Sequence, residues 1–150
     1  MDSGVFDRRG LEIVEPVARE RILLVDENGR DLKYYRMILE SHGFDVTVCT
    51  SFEAGVEALE KESFDFVMAD QGSIAFEGRK VVERAIQINR HLPVLVVTAC
   101  IDMRCYVEAI QIGALDYLEK PLAPSFLLRL VLGQVRRAKI TEQAAQMESA

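Results

Sequence analysis

Five short apolar segments, each followed by an amphipathic segment, constrain the fold of this chain more than any other feature. The apolar segments lie at residues 22–25, 44–50, 65–69, 93–97 and 115–119. A continuous apolar run of this length is typical of a strand that is buried on both faces. Strands that alternate with helices through short loops form right-handed βαβ units, so the pattern predicts a parallel sheet covered on both faces.

Capping residues mark the helices between these segments. Asn28, Ser51 and Asp102 carry side-chain oxygens that can accept hydrogen bonds from the first free amides of a helix. Pro124 suits the first turn of the last helix, because an amide hydrogen is not needed there. A helix is therefore predicted after each strand, with the third at residues 77–90 and the last reaching at least residue 137.

Length and composition indicate one folded domain with a substantial core. The 150 residues are 49% hydrophobic and 28% charged, which is typical of globular proteins. Residues 1–20 lack a clear period and are expected to form a flexible N-terminal arm, whereas residues 21–137 form the domain. Residues 138–150 are good helix formers with few large apolar side chains, so a helical or frayed tail is expected, with a coiled coil as the alternative.

Charge and hydropathy argue against several function classes. The net charge of −6 argues against direct binding of nucleic acid, which requires a basic surface. No apolar run approaches the roughly 20 residues of a membrane-spanning helix, and the first residues do not resemble a signal peptide. A cytoplasmic protein without membrane contact is expected. The three cysteines form no close CxxC pair, which argues against a disulfide framework or a zinc site.

Polar side chains follow the predicted strands at the points where the strands end. Asp26 and Glu27 follow the first strand, Asp70 the third, Thr98 the fourth and Lys120 the fifth. Open parallel sheets bind ligands beyond the carboxyl ends of their strands. Carboxylates that share this edge repel one another unless a cation neutralises them, and oxygen ligands suit Mg²⁺. A carboxylate that lies beside a metal ion and a lysine can accept a phosphoryl group, because the metal ion and the lysine ammonium offset the charge of the phosphoryl oxygens.

Four segments of the sequence resemble the receiver domain of two-component response regulators. They are LVDEN at 24–28, FVMAD at 66–70, TA at 98–99 and YLEKP at 117–121, and the resemblance covers about residues 21–137. It implies a flavodoxin-like, doubly wound α/β fold with a five-stranded parallel sheet in the order 2-1-3-4-5 and helices on both faces. It also implies a signalling module that catalyses only its own phosphotransfer and dephosphorylation.

The resemblance implies a role for each matching residue of the acidic edge. Asp70 would accept a phosphoryl group from a histidine kinase or a phosphotransfer protein. Mg²⁺ would be held by Asp26, Glu27, Asp70 and the backbone carbonyl of Gly72, with Asp26 binding one of its waters. Lys120 would contact the phosphoryl oxygens.

The resemblance also implies a conformational switch. Thr98 would turn toward the phosphoryl group after transfer, and the Ala99 amide would donate a hydrogen bond to it. Tyr117 matches the switch aromatic that moves inward, although a packed, half-buried ring is the alternative for this residue. Pro121 follows the lysine in a peptide bond that is cis in the family. The switch would change the face formed by the fourth helix, fifth strand and fifth helix, where a downstream protein or a second copy binds.

Departures from the family pattern keep two other hypotheses open. Glu27 replaces the commoner aspartate, and Ile74 stands where the family usually has proline, while Gly78 matches a family glycine. Because the residues after 137 are too few for a helix-turn-helix module, a degenerate receiver that serves as an unphosphorylated dimerisation or scaffold module is the second hypothesis. A flavin-binding protein of the same topology is the third, although the acidic pair after the first strand would repel a flavin phosphate.

Overall fold

The centre of the fold is a five-stranded parallel sheet. The computed structural model describes residues 5–6, 12–13 and 19–149. The sheet strands are β1 (Arg21–Val25), β2 (Asp45–Cys49), β3 (Phe66–Asp70), β4 (Val94–Thr98) and β5 (Asp116–Glu119). They are hydrogen-bonded in the order β2-β1-β3-β4-β5, and each neighbouring pair is parallel. The predicted fold class and strand order are confirmed.

Five helices cover the sheet. They are α1 (Gly29–Glu40), α2 (Phe52–Lys61), α3 (Arg79–Ile88), α4 (Met103–Ile112) and α5 (Pro124–Ser149). The predicted caps are confirmed, because the side chains of Asn28, Ser51 and Asp102 accept amide hydrogen bonds from the first turns of α1, α2 and α4. In each case a short polar side chain replaces the partner that the first helical amides lack.

Helix α3 begins at Arg79 rather than at the predicted Glu77. The Glu77 carboxylate accepts hydrogen bonds from the backbone amide and the hydroxyl of Ser73, at 2.7 and 2.9 Å. A hydrogen bond from its own backbone amide, together with those from Ser73, lowers the pKa of this carboxyl group. Glu77 therefore closes the β3–α3 loop (residues 71–78) instead of starting the helix.

Each face of the sheet has its own apolar core, because alternate residues along a strand point to opposite faces. Ile22, Leu24 and Phe66 pack on the side of α1 and α5. Leu23 and Val67 pack on the side of α2, α3 and α4. These side chains are buried on both sides of the strands, which explains why the strands read as continuous apolar runs.

The ends of the chain extend beyond the sheet. Within the predicted N-terminal arm, Val5–Phe6 and Glu12–Ile13 pair as two antiparallel strands, and the rest of the arm before residue 19 lies outside the described residues. Helix α5 continues without a break through the predicted tail to Ser149. The ammonium of Lys139 donates to a Glu20 carboxylate oxygen at 2.5 Å, which joins α5 to the chain that enters β1. No helix within residues 19–149 is both long enough and apolar enough to cross a bilayer.

Two glycines give opposite predictions for stability. A Cβ atom at Gly78 would lie 2.0 Å from the backbone oxygen of Asp70, whereas a Cβ at Gly133 in α5 would meet nothing within 4 Å. Gly78→Ala should lower the free energy of unfolding by about 2 kcal/mol or more, because the β3–α3 loop must move away from the end of β3. Gly133→Ala should raise it by about 0.5–1 kcal/mol, because alanine is the better helix former. Urea unfolding measures both, and equal effects would contradict the close approach at Gly78.

Candidate functional site

The sheet brings the polar residues that follow its strands to one edge. Asp70 and Thr98 are the last residues of the adjacent strands β3 and β4. Backbone pairing continues past the strand ends: the Asp26 amide donates to the last carbonyl of β2 at 3.1 Å, and the Lys120 amide donates to the Thr98 carbonyl at 2.8 Å. These hydrogen bonds hold Asp26 and Lys120 in the frame of the sheet, although both residues lie in loops beyond the strand ends.

The ammonium of Lys120 lies among three carboxylates, and we call these four residues the acidic site. Its Nζ is 2.6 Å from an Asp26 oxygen, 2.8 Å from an Asp31 oxygen and 2.8 Å from an Asp70 oxygen. The side chains of Lys120 and Asp26 are only 10% and 8% exposed, whereas that of Asp31 is 32% exposed. The predicted convergence of strand ends is therefore present, with Asp31 as an additional member.

The acidic site carries excess negative charge. Burial raises the pKa of the Asp26 carboxyl group, and the charge of Asp70 adds to this, while hydrogen bonds from Lys120 and the Asn28 amide oppose it. Desolvation alone would lower the pKa of Lys120, but hydrogen bonds to the three carboxylates raise it above its usual value. The lysine is thus firmly protonated, and its single charge cannot balance three carboxylates.

The donor atoms of this site suit a hard divalent cation. Asp26 and Asp70 are close enough to share one cation, since both already share the Lys120 ammonium. Glu27 follows Asp26 in the chain and is exposed to solvent. Within residues 19–149 no group of three or more His, Cys, Asp or Glu side chains surrounds a preformed metal position. Mg²⁺ does not need one, because it binds through one or two carboxylates and keeps several waters.

Local hydrogen bonds fix the end of β3 at Asp70 and the loop that carries Lys120. The Gly72 amide donates to the second oxygen of Asp70 at 2.9 Å, and Gly72 has a φ of +85° that favours glycine. The peptide bond between Lys120 and Pro121 is cis. The hydroxyl of Tyr35, which is 2% exposed, accepts a hydrogen bond from the Leu122 amide at 3.1 Å. Helix α1 therefore supports the loop that follows Lys120 through the buried Tyr35 hydroxyl.

The two candidate switch residues are both buried. The Thr98 hydroxyl donates to the Cys100 carbonyl at 2.8 Å and accepts from the Cys100 amide at 3.2 Å. Tyr117 is 3% exposed, and its hydroxyl accepts from the Asp102 amide at 3.0 Å. Burial raises the pKa of Tyr117, against the effect of hydrogen bonds with Asp102 and Thr98. The ring thus lies inside the domain, and Ala99, whose amide is the predicted donor, is exposed at the same edge.

The contributions of three residues to this region were not predicted from the sequence: Asp31, Tyr35 and Gln71. Asp31 lies in the first turn of α1, where side chains tilt toward the helix N-terminus and hence toward the strand ends. Tyr35 lies four positions later on the same helical face, so the spacing of the two was available as a signal. Gln71 directly follows Asp70 and is 3% exposed, and only its neighbours in space explain why a polar side chain is buried there.

Removal of the shared cation should destabilise the fold more than removal of one anion. Lys120→Met leaves the buried Asp26 facing Asp70 without a positive charge, and it should lower the free energy of unfolding by about 3 kcal/mol. Asp31→Asn should change it by less than about 1 kcal/mol, because that carboxylate is partly exposed and replaceable by water.

The measurement is urea unfolding at neutral pH with a chelator present. Lys80→Met is the control, since Lys80 pairs with Glu53 on an exposed surface, and it should change stability by less than about 0.5 kcal/mol. Equal effects of Lys120→Met and Lys80→Met would show that the acidic site does not depend on its lysine.

Comparison with known proteins agrees with this geometry. The family model described as the response regulator receiver domain matches residues 22–132. The transcriptional regulatory protein FixJ of Bradyrhizobium diazoefficiens is 30% identical over 128 residues, which are 85% of this chain and 61% of that protein. The alginate biosynthesis transcriptional regulatory protein AlgB of Pseudomonas aeruginosa is 30% identical over 129 residues, 86% of this chain and 28% of that protein. The chain thus spans less than two thirds of these relatives.

Solved structures show the same fold. A CheY-like response regulator receiver domain protein from Methanospirillum hungatei superposes with a TM-score of 0.78 at 25% identity, over 83% of this chain and 99% of that one. The family model runs from Ile22 in β1 into α5, so it includes residues of all five sheet strands and the acidic site. The chain therefore belongs to the receiver domains of two-component response regulators, a family of signalling proteins.

Proposed function

We propose that Asp70 accepts a phosphoryl group from a histidine kinase or a phosphotransfer protein, and that the resulting acyl phosphate controls which partner the domain binds. The observation that carries the proposal is the position of the Lys120 ammonium, 2.8 Å from one Asp70 oxygen and 2.6 Å from Asp26. The Asp70 side chain is 15% exposed, so it combines a fixed orientation with access from solvent.

The side chains of the acidic site supply most of what the transfer requires. A carboxylate oxygen of Asp70 forms a bond to phosphorus while the bond from phosphorus to the donor's imidazole nitrogen breaks, and the nitrogen keeps the electron pair. The Gly72 amide and the Lys120 ammonium hold the two Asp70 oxygens in different directions, which orients the carboxylate for attack. Lys120 then offsets charge on the transferred phosphoryl oxygens.

Mg²⁺ supplies further charge neutralisation on the phosphoryl oxygens when it is bound. Asp26, Glu27, Asp70 and the Gly72 carbonyl are the residues that would hold it. This assignment is supported by the excess of carboxylates over the single Lys120 ammonium, since carboxylate and carbonyl oxygens suit Mg²⁺.

The output surface of the proposed switch lies on α4, β5 and α5. Thr98 and the Ala99 amide would respond to the phosphoryl group, and Tyr117 connects Thr98 to the residue that caps α4, Asp102. The described part of α4 and α5 exposes a set of large apolar side chains: Met103, Tyr106, Val107, Ile110, Phe126 and Leu132. A downstream protein or a second copy of the chain would bind this face, since exposed apolar patches mark interaction sites.

The alternative is a degenerate receiver that binds a partner or a second copy without phosphorylation. The inward position of Tyr117 in the unmodified chain favours this alternative, because the ring is buried without a phosphoryl group on Asp70. A scaffold of this kind has no need of Mg²⁺ or of a reactive Asp70, so both are open to direct test.

Phosphorylation of Asp70 is tested with a small phosphodonor such as acetyl phosphate. In the presence of Mg²⁺, the intact mass of the wild type should increase by one phosphoryl group, and Asp70→Asn should gain nothing. Asp45→Asn, a matched change at an exposed position of β2, should be labelled like the wild type. Absence of labelling on the wild type, or equal labelling of Asp70→Asn, would remove the proposal.

Binding of Mg²⁺ is tested through stability. At about ten times its dissociation constant the ion should stabilise the wild type by about 1.4 kcal/mol, because it binds the folded state alone. Asp26→Asn should lose most of this gain, whereas Asp45→Asn should keep it. The measurement is urea unfolding with Mg²⁺ against the same titration with a chelator, and a wild type indifferent to Mg²⁺ would favour the scaffold alternative.

A further inference from the structure

The side chain of Gln71 connects the β3–α3 loop with β5 and takes no part in the proposed phosphotransfer. Gln71 directly follows Asp70 and is 3% exposed. Its amide nitrogen donates to the Ser73 carbonyl at 3.1 Å, and its amide oxygen accepts a short hydrogen bond from the Tyr117 hydroxyl. Both ends of the buried amide are therefore engaged, one within the loop and one across the sheet edge.

The hydrogen-bond path continues from Tyr117 into the first turn of α4. The Tyr117 hydroxyl accepts from the Asp102 amide at 3.0 Å, and the Asp102 carboxylate caps α4 by accepting from the Cys105 amide at 2.9 Å. Tyr117 is buried, so loss of a hydrogen-bond partner would leave a polar hydroxyl poorly satisfied in the interior. The phenol is thus held between the residue next to Asp70 and the N-terminus of α4.

A second contact joins the same two elements at the surface. The Arg104 guanidinium donates to the Ile74 carbonyl at 2.5 Å, and the Cys105 thiol lies 3.5 Å from the same oxygen. The β3–α3 loop and the start of α4 therefore meet at two points, one buried and one exposed. Two separate attachments make a displacement of the loop relative to α4 costly unless both elements move together.

We propose that Gln71 is a positioning residue that holds Tyr117 inward in the unmodified protein and couples the β3–α3 loop to the start of α4. The Gln71 backbone amide donates to the Val97 carbonyl at 2.8 Å, so its backbone belongs to the sheet. A change at Asp70 therefore reaches α4 through the Gln71 side chain and the Tyr117 hydroxyl. This second part, transmission, rests on the proposed phosphorylation of Asp70, whereas the first part does not.

The first part is tested by hydrogen exchange in the unmodified protein. Gln71→Leu removes the amide, and Tyr117→Phe removes only the hydroxyl, which keeps the test open should the first variant fold poorly. Tyr117→Phe removes the acceptor of the Asp102 amide and should speed its exchange by about tenfold, the factor expected for loss of one hydrogen bond. Gln71→Leu should speed this exchange as well, because the Tyr117 hydroxyl is then no longer held in place. The double variant should exchange no faster than Tyr117→Phe, because both changes break the same path.

A matched control and a spectroscopic signal separate positioning from general loosening. Gln111→Leu makes the same substitution at an exposed position of α4 and should leave Asp102 exchange unchanged. With 3-fluorotyrosine incorporated, the ¹⁹F resonance of Tyr117 should shift in Gln71→Leu and stay in place in Gln111→Leu. Wild-type exchange and an unshifted resonance in Gln71→Leu would overturn the role of Gln71.

The second part is tested after treatment with acetyl phosphate and Mg²⁺. In the wild type the amide resonances of Asp102 and Cys105 should shift, and in Gln71→Leu the shifts should fall to less than about a third although the mass shows equal phosphorylation. Full shifts in phosphorylated Gln71→Leu would overturn transmission. An unphosphorylated wild type would overturn the proposed function and transmission together, while the exchange data would still decide whether Gln71 positions Tyr117.

Discussion

The structure depends on one ammonium group shared by three carboxylates. Lys120 reaches back from the end of β5 to Asp26 in the loop after β1, Asp31 in the first turn of α1 and Asp70 at the end of β3. Without this cation the carboxylates would repel one another across a partly buried gap. Because one ammonium neutralises only part of the charge of three carboxylates, a net negative charge remains where a cation and a phosphoryl group would bind.

The rest of the fold holds this group in place. The sheet register aligns the strand ends, and backbone hydrogen bonds extend it to Asp26 and Lys120. Tyr35 supports the lysine loop from α1, and Tyr117 supports α4 from β5. Both tyrosines are nearly fully buried, and each uses its hydroxyl to bind a backbone amide of a loop or helix start. The core thus provides hydrogen-bond acceptors near the carboxyl ends of the strands, in addition to the apolar contacts between the sheet and the helices.

The sequence allowed the sheet and the convergence of side chains at its strand ends to be predicted, because both follow from local patterns. Apolar runs mark β1 and β4, and acids at strand ends mark Asp26 and Asp70. The predicted start of α3 was wrong, because the Glu77 carboxylate accepts a hydrogen bond from Ser73 in a turn that the hydrophobic periodicity of the sequence does not indicate. Phe76 shows the same limit, since its φ of +57° is unusual for a bulky residue and its ring is buried in the core. Contacts between distant segments decide such positions.

The most direct test of the account is to find which carboxylate carries the acyl phosphate. Borohydride reduces an acyl phosphate of aspartate to homoserine, and peptide fragmentation locates that residue. After treatment of the wild type with acetyl phosphate and Mg²⁺, homoserine should appear at Asp70 and at neither Asp26 nor Asp31. Homoserine at one of those two positions, or at none, would contradict the assignment of Asp70 as the acceptor and of Lys120 as its partner.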